Sequence, residues 1–205
     1  MRISLSDTGK RFNRDWIFRK FDYVFESGQA YAIVGPNGSG KSTLLQVIGG
    51  AIAASRGDIL YEFDGKKIDG DEIFVYVSIA APYLEVIEEM SVTEFLRFHS
   101  QFKPLKKGYS IDEIIAIVGL QKASNKQIRY YSSGMKQRVK LAQAIFSDTP
   151  CLLLDEPCTN LDAEGVKLYQ GLIEQHAGNR LLIVSSNDEQ EYGFCGKRIS
   201  IEEYK

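Results

Sequence analysis

The chain has 205 residues, 44% hydrophobic and 25% charged, which suits one compact unit with a sizeable core and excludes a disordered tail. A formal net charge of -2 gives no broad basic field, so nucleic acid is not expected as a main partner, and no apolar stretch approaches the roughly 18 residues of a membrane span. Cys151, Cys158 and Cys195 lack paired metal-ligand spacing and read as reduced thiols of a cytosolic protein rather than zinc ligands.

The N-terminal stretch MRISLSDTGKRFNRDW has no apolar targeting core, so the expectation is a chain neither secreted nor membrane-spanning by itself. MRISLSDTGKRF, FRKFDYVF and AYAIV read as strands, STLLQVIGGAIA as a helix, and GDILYEFDGKKI as a hairpin with a glycine turn. From about residue 80 to 145 the periodicity becomes helical, with SVTEFLRFHSQF, IDEIIAIVGL and SSGMKQRVKLAQAIF as three helices. CLLLD and RLLIVSS are short apolar runs suited to buried parallel strands, joined by the crossover helix AEGVKLYQGLIEQHA, and KRISIEEY is read as a closing strand. The expected fold is α/β: a phosphate-loop core with a mixed, largely parallel sheet, an N-terminal antiparallel β subdomain and an inserted helical subdomain. Residues 1–79 and 146–205 would form the core and residues 80–145 the helical subdomain, within a single domain.

Between AYAIV and the first helix stands GPNGSGKST: Gly35, Pro36, Asn37, Gly38, Ser39, Gly40, Lys41, Ser42 and Thr43. The pattern G-x-x-x-x-G-K-[ST] at a strand-to-helix turn lets backbone amides face phosphate oxygens, Lys41 reach the β and γ phosphates, and the Ser42 hydroxyl hold Mg²⁺. The implied ligand is a magnesium nucleoside triphosphate. CLLLDEP then ends a strand in Asp155, which would bring a carboxylate beside the metal. Glu156 follows on the loop, where it could polarise an attacking water as a general base.

In this motif order, over nearly its whole length, the chain resembles the nucleotide-binding subunits of ATP-binding cassette (ABC) transporters. That resemblance implies ATP and Mg²⁺ as cofactors. It also implies that YSSGM, Tyr131, Ser132, Ser133, Gly134 and Met135, corresponds to the signature segment that binds the ATP held by a second copy. Ser132 reads as the helix N-cap there. TNLD resembles the family's D-loop, with Asp162 expected at the dimer interface. Phe12 lies where an aromatic stacks on adenine, with Trp16 as the alternative. The partners implied are a second copy in an ATP sandwich and a separate integral membrane permease subunit, at the cytoplasmic face of the cell membrane. The short chain is similar to the subunits of bacterial exporters, including the haem exporter type.

Two positions depart from the family pattern. The glutamine that usually joins core and helical subdomain aligns with Ala80, and no glutamine occurs between Gln46 and Gln101. The histidine after the last core strand is replaced by Asn187, which can donate a hydrogen bond to a γ-phosphate oxygen but carries no charge. Slow turnover is therefore expected alongside the transport reading. A soluble ABC ATPase and a slowly hydrolysing ATP switch are the alternatives.

Overall fold

A computed structural model describes residues 1–205. The chain opens with a long hairpin, β1 (Arg2–Phe12) and β2 (Asp15–Glu26), turning at Asn13 with φ 54°. Strands β4 (Arg56–Phe63) and β5 (Lys66–Ile68) join it to make a four-stranded antiparallel sheet in the order β2-β1-β4-β5. Its inward face is set by alternation for Ile3 and Leu5 on β1 and Phe21 and Phe25 on β2, while the break at Lys20, φ 54°, brings the buried Phe18 to the same face.

The second sheet comprises β3 (Ala30–Val34), β6 (Val77–Ala80), β7 (Cys151–Asp155), β8 (Leu181–Ser185) and β9 (Lys197–Ser200), in the order β6-β7-β8-β3-β9. Every pair in it is parallel. The expected mixed sheet therefore resolves into two, with the antiparallel strand pairs kept in the N-terminal sheet. Strands β7 and β8 are apolar because both faces are covered. Cys151 and Leu153 join a core built around helix α1 (Lys41–Ile48), which lies between the sheets. Leu152 and Leu154 face the other way, into a core shared with α3 (Val92–His99), α4 (Ile111–Ile117), α5 (Ser133–Phe146) and α6 (Ala163–His176). The helical segment thus shares one continuous apolar core with the parallel sheet. Two four-residue helices, α2 (Ile73–Tyr76) and α7 (Glu189–Tyr192), complete the chain. No helix is long and apolar enough to cross a membrane.

Several elements differ from the sequence reading, the short helices α2 and α7 among those it lacked. Helix α1 stops at Ile48 instead of reaching Ala53: Gly50 adopts φ +72°, and the Gly49 and Ala51 amides return to the carbonyls of Leu45 and Gln46, a glycine-terminated C-cap. The closing strand ends at Ser200, and Ile201–Tyr204 forms a 3-10 turn whose Tyr204 ring packs 4.4 Å from Phe21. Strand β6 was not read from the sequence, yet it pairs with β7 along its length, Ala80 opposite Leu154.

Candidate active site

The sharp turn from β3 into α1 makes a donor-rich loop. Gly40 caps α1 at φ 97°, and a Cβ there would come within 2.3 Å of Ile17 Cγ2, so only glycine closes the turn against the β1–β2 hairpin. The amides of Asn37, Gly38 and Gly40 donate to no protein acceptor, and no acidic residue occupies the first turn of α1. Lys41 is buried, and its Nζ donates to the carbonyls of Gly35 at 2.9 Å and Pro36 at 3.2 Å, which centres the cation in the loop. Free amides, a helix N-terminus and one cation together suit a polyphosphate.

Asp155 ends β7 beside this loop and is 1% exposed, with Oδ1 lacking any partner. Burial raises its pKa, the neighbouring Ser42 and Ser185 hydroxyls counter that, Glu156 adds to it and Lys41 opposes it. A buried carboxylate oxygen left unpaired is costly unless something ligates it. A hard oxygen donor next to the Ser42 hydroxyl fits Mg²⁺, which takes one or two carboxylates and completes its shell with phosphate and water.

The loop after β7 is held from several sides. Glu156 sits in the left-handed region at φ 41°, uncommon for a non-glycine residue. Its amide donates to Ser185 O at 2.8 Å. Pro157 O accepts from the buried Gln137 Nε2 of α5 at 2.7 Å, and the Cys158 amide donates to Glu191 Oε1 at 2.6 Å. Asn187 follows β8, and its Nδ2 donates to Asn37 Oδ1 of the phosphate loop at 3.2 Å. Glu156, Asn187 and Asn37 line one cleft.

A second cleft is lined by Ser132–Met135, Arg138 and Asn160–Asp162, and it shares only Leu161 with the first. Ser132 caps α5 as expected, accepting the Met135 amide at 3.3 Å. Gly134 allows close packing, since a Cβ there would stand 2.9 Å from Asn160 O. The Tyr131 ring, expected among the ligand contacts, is buried in the helical segment with its hydroxyl donating to Ala123 O at 2.7 Å; it braces the turn. Asp162 caps α6 through the Gly165 amide at 2.8 Å, while most of its side chain stays exposed. At the hairpin tip Phe12 is 49% exposed, with Lys10 Nζ 5.0 Å from its ring centroid. Trp16 lies across Gly9 and under Arg11.

Ala80 is 1% exposed and packs in the hydrophobic core, in keeping with a side chain that offers no metal contact. In the same segment the Tyr83 phenol neighbours Asp155 and the Gln46 side chain; burial first, then Asp155, raises its pKa, and Gln46 counters. Tyr83 follows β6 in a turn closed by the Leu84 amide on Ala81 O, and Lys140 Nζ of α5 holds the Pro82 carbonyl at 3.0 Å. Tyr83, Gln137 and Glu191 were all missed from the sequence. Tyr83 alone left a signal there, an aromatic immediately after the X-Pro turn. A cavity of about 560 Å³ lies around Gly28–Ala30 at the start of β3 and shares only Gln190 with the cleft of Glu156 and Asn187.

These features define a phosphate-loop α/β protein of the nucleoside-triphosphate-binding class, with the capped start of α5 in a separate cleft. The ABC transporter family profile matches residues 18–159. The cytochrome c biogenesis ATP-binding export protein CcmA of Rhizobium meliloti is 30% identical over 205 residues, covering 97% of this chain and 96% of that protein. The uncharacterized ABC transporter ATP-binding protein YybJ of Bacillus subtilis is 29% identical over 196 residues, covering 94% and 89%. Among solved structures, a putative ABC transporter ATP-binding protein from Pyrococcus furiosus superposes with a TM-score of 0.83 at 21% identity over 100% of both chains. The dimeric bacterial cassette MJ0796 superposes with a TM-score of 0.80 at 20% identity, covering 97% of this chain and 94% of that one. The chain belongs to the ABC transporter family, among its ATP-binding subunits.

Proposed function

We propose that this subunit hydrolyses MgATP as one half of a head-to-tail dimer and thereby drives transport through a separate integral membrane permease subunit. The observation that carries the reading is the separation of two clefts on one chain, one lined by Asn37 and Glu156 and the other by Ser132–Met135. A chain whose signature segment does not share a cleft with its own phosphate-loop residues needs a second copy to complete the site. The dimeric MJ0796 cassette supports the same arrangement by likeness of fold, and CcmA, by name an ATP-binding export protein, supports a role in export.

In this reading the loop amides and Lys41 bind the phosphates, and Ser42 and Asp155 hold Mg²⁺. The metal would supply charge neutralisation between the β and γ phosphates. Glu156, at the left-handed turn that follows β7, takes a proton from the attacking water as general base. Asn187 donates to a γ-phosphate oxygen, Phe12 stacks on adenine, and Ser133, Gly134 and Asp162 engage the nucleotide or loop of the facing copy. ATP closes the dimer and hydrolysis reopens it, because the contact across the interface depends on the γ-phosphate. Residues 80–145 form the moving unit that receives the permease.

A second reading, a slow ATP switch acting on soluble partners, is favoured by Asn187 and by the absence of a glutamine between Gln46 and Gln101. Co-purification from detergent-solubilised membranes decides between them. A multi-span membrane protein that stimulates hydrolysis supports transport; soluble partners alone support the switch.

A further inference from the structure

Glu191 is a buried carboxylate to which the proposed chemistry gives no part. It stands on α7, 4% exposed, and pairs with no cation. Its Oε1 accepts the Cys158 amide at 2.6 Å, two residues beyond Glu156. The Glu191 amide donates to Asp188 O at 3.0 Å, which ties the residue's backbone to the turn that carries Asn187. Ser186 Oγ accepts the Asp188 amide at 2.9 Å and closes that turn. From α6, the Tyr169 hydroxyl donates to the Glu191 carbonyl at 2.8 Å and Gln170 Nε2 to the Gln190 carbonyl at 3.0 Å, which pins α7 against the core.

Stability alone does not explain the residue. Burial raises the Glu191 pKa, with Asp188 and Glu156 adding to the rise against the relief from Ser186 and the Cys158 amide. A buried charge without a counter-ion is costly, and a neutral side chain with an acceptor oxygen would hold the Cys158 amide without that cost.

We propose that Glu191 is a positioning residue that straps the loop after β7 to the turn after β8, and so fixes the separation of Glu156 from Asn187 across the nucleotide cleft. The proposal rests on the reading that these two residues act at the γ-phosphate. Both chain segments leave adjacent parallel strands, and Glu156 is already tied to β8 through Ser185 O. Glu191 adds the second tie, on the far side of Glu156, which turns a hinge into a fixed frame.

The test compares the full-length wild type with Glu191→Ala and Glu191→Gln in MgATP hydrolysis and in amide hydrogen exchange. In Glu191→Ala, kcat should fall roughly 10–100-fold, the cost of a misplacement near 1 Å. The KM for ATP should stay within about threefold, since phosphate binding is untouched. The Cys158 and Asp188 amides should exchange faster while those of β7 and β8 stay protected. Glu191→Gln keeps an acceptor oxygen and should recover most of kcat. If Glu191→Ala does not fold, Glu191→Met, which fills the space without an acceptor, replaces it. Unchanged kcat, unchanged Cys158 exchange, or a glutamine variant as impaired as the alanine one overturns the proposal. If the wild type hydrolyses no ATP, the functional reading fails, while the exchange data still decide whether the strap exists.

Discussion

Asn187 donates to Asn37 of the phosphate loop, so its amide already lies against the segment expected to wrap the triphosphate. Deleting a positioned donor to developing charge costs about 2.7–4 kcal/mol. A neutral donor retains part of that, so its deficit against an imidazole should be roughly 1–2 kcal/mol, or 5–30-fold in rate. Asn187→His should therefore raise kcat, and Asn187→Ala should lower it with little change in ATP affinity. Steady-state hydrolysis of the two variants checks this, and no change in either would remove Asn187 from the mechanism. Lys41→Ala should largely abolish MgATP binding by calorimetry, because it deletes the buried cation at the loop's centre. At this scale the chemistry-bearing residues were legible because phosphate loops and strand-end acids are contiguous in sequence. Gln137 and Glu191 were not, since each reaches the acid loop from a different helix and looks like an ordinary polar helical residue until the fold brings it there. Tyr83 was not legible either, because only the fold shows that the turn after Ala80 brings its phenol beside Asp155.

Helix α3 shows how an element can be tuned by its ends. Ser91 and Glu94 form a capping box, with the Glu94 amide on Ser91 Oγ and the Ser91 amide on Glu94 Oε2. Ser91→Ala should cost about 1 kcal/mol in denaturant unfolding. At the other end His99 Nε2 lies 2.9 Å from Ser147 Oγ, whose own proton goes to Gln143 O, so the imidazole donates. Burial, with Lys103 adding to it, lowers the His99 pKa to about 4 from the ordinary 6.5. The unfolded imidazole therefore takes up a proton first as the pH falls. The contribution is complete above about 6.5 and is lost as the pH drops towards about 4. His99→Gln should flatten the decline in unfolding midpoint across that window, and identical slopes would contradict the assignment. The long periodic helices and the five-residue apolar strands were legible because burial imposes a period on sequence. Strand β6 was not, because four residues are too few to show one, and α1 was overextended because the apolar run continues past Gly49 and Gly50 while the backbone does not.

The whole molecule keeps its two chemical surfaces apart. Glu156 and Asn187 lie in one cleft and the capped start of α5 in another, while one buried core runs from α3–α5 into the parallel sheet. Completion of the site by a second copy is thus the central claim, and Glu156→Gln tests it most directly by retaining ATP contacts while removing the base. Light scattering of this variant should give one chain's mass, 23.1 kDa, without nucleotide and about twice that with saturating MgATP. A single-chain mass at high protein concentration with saturating MgATP would contradict the account.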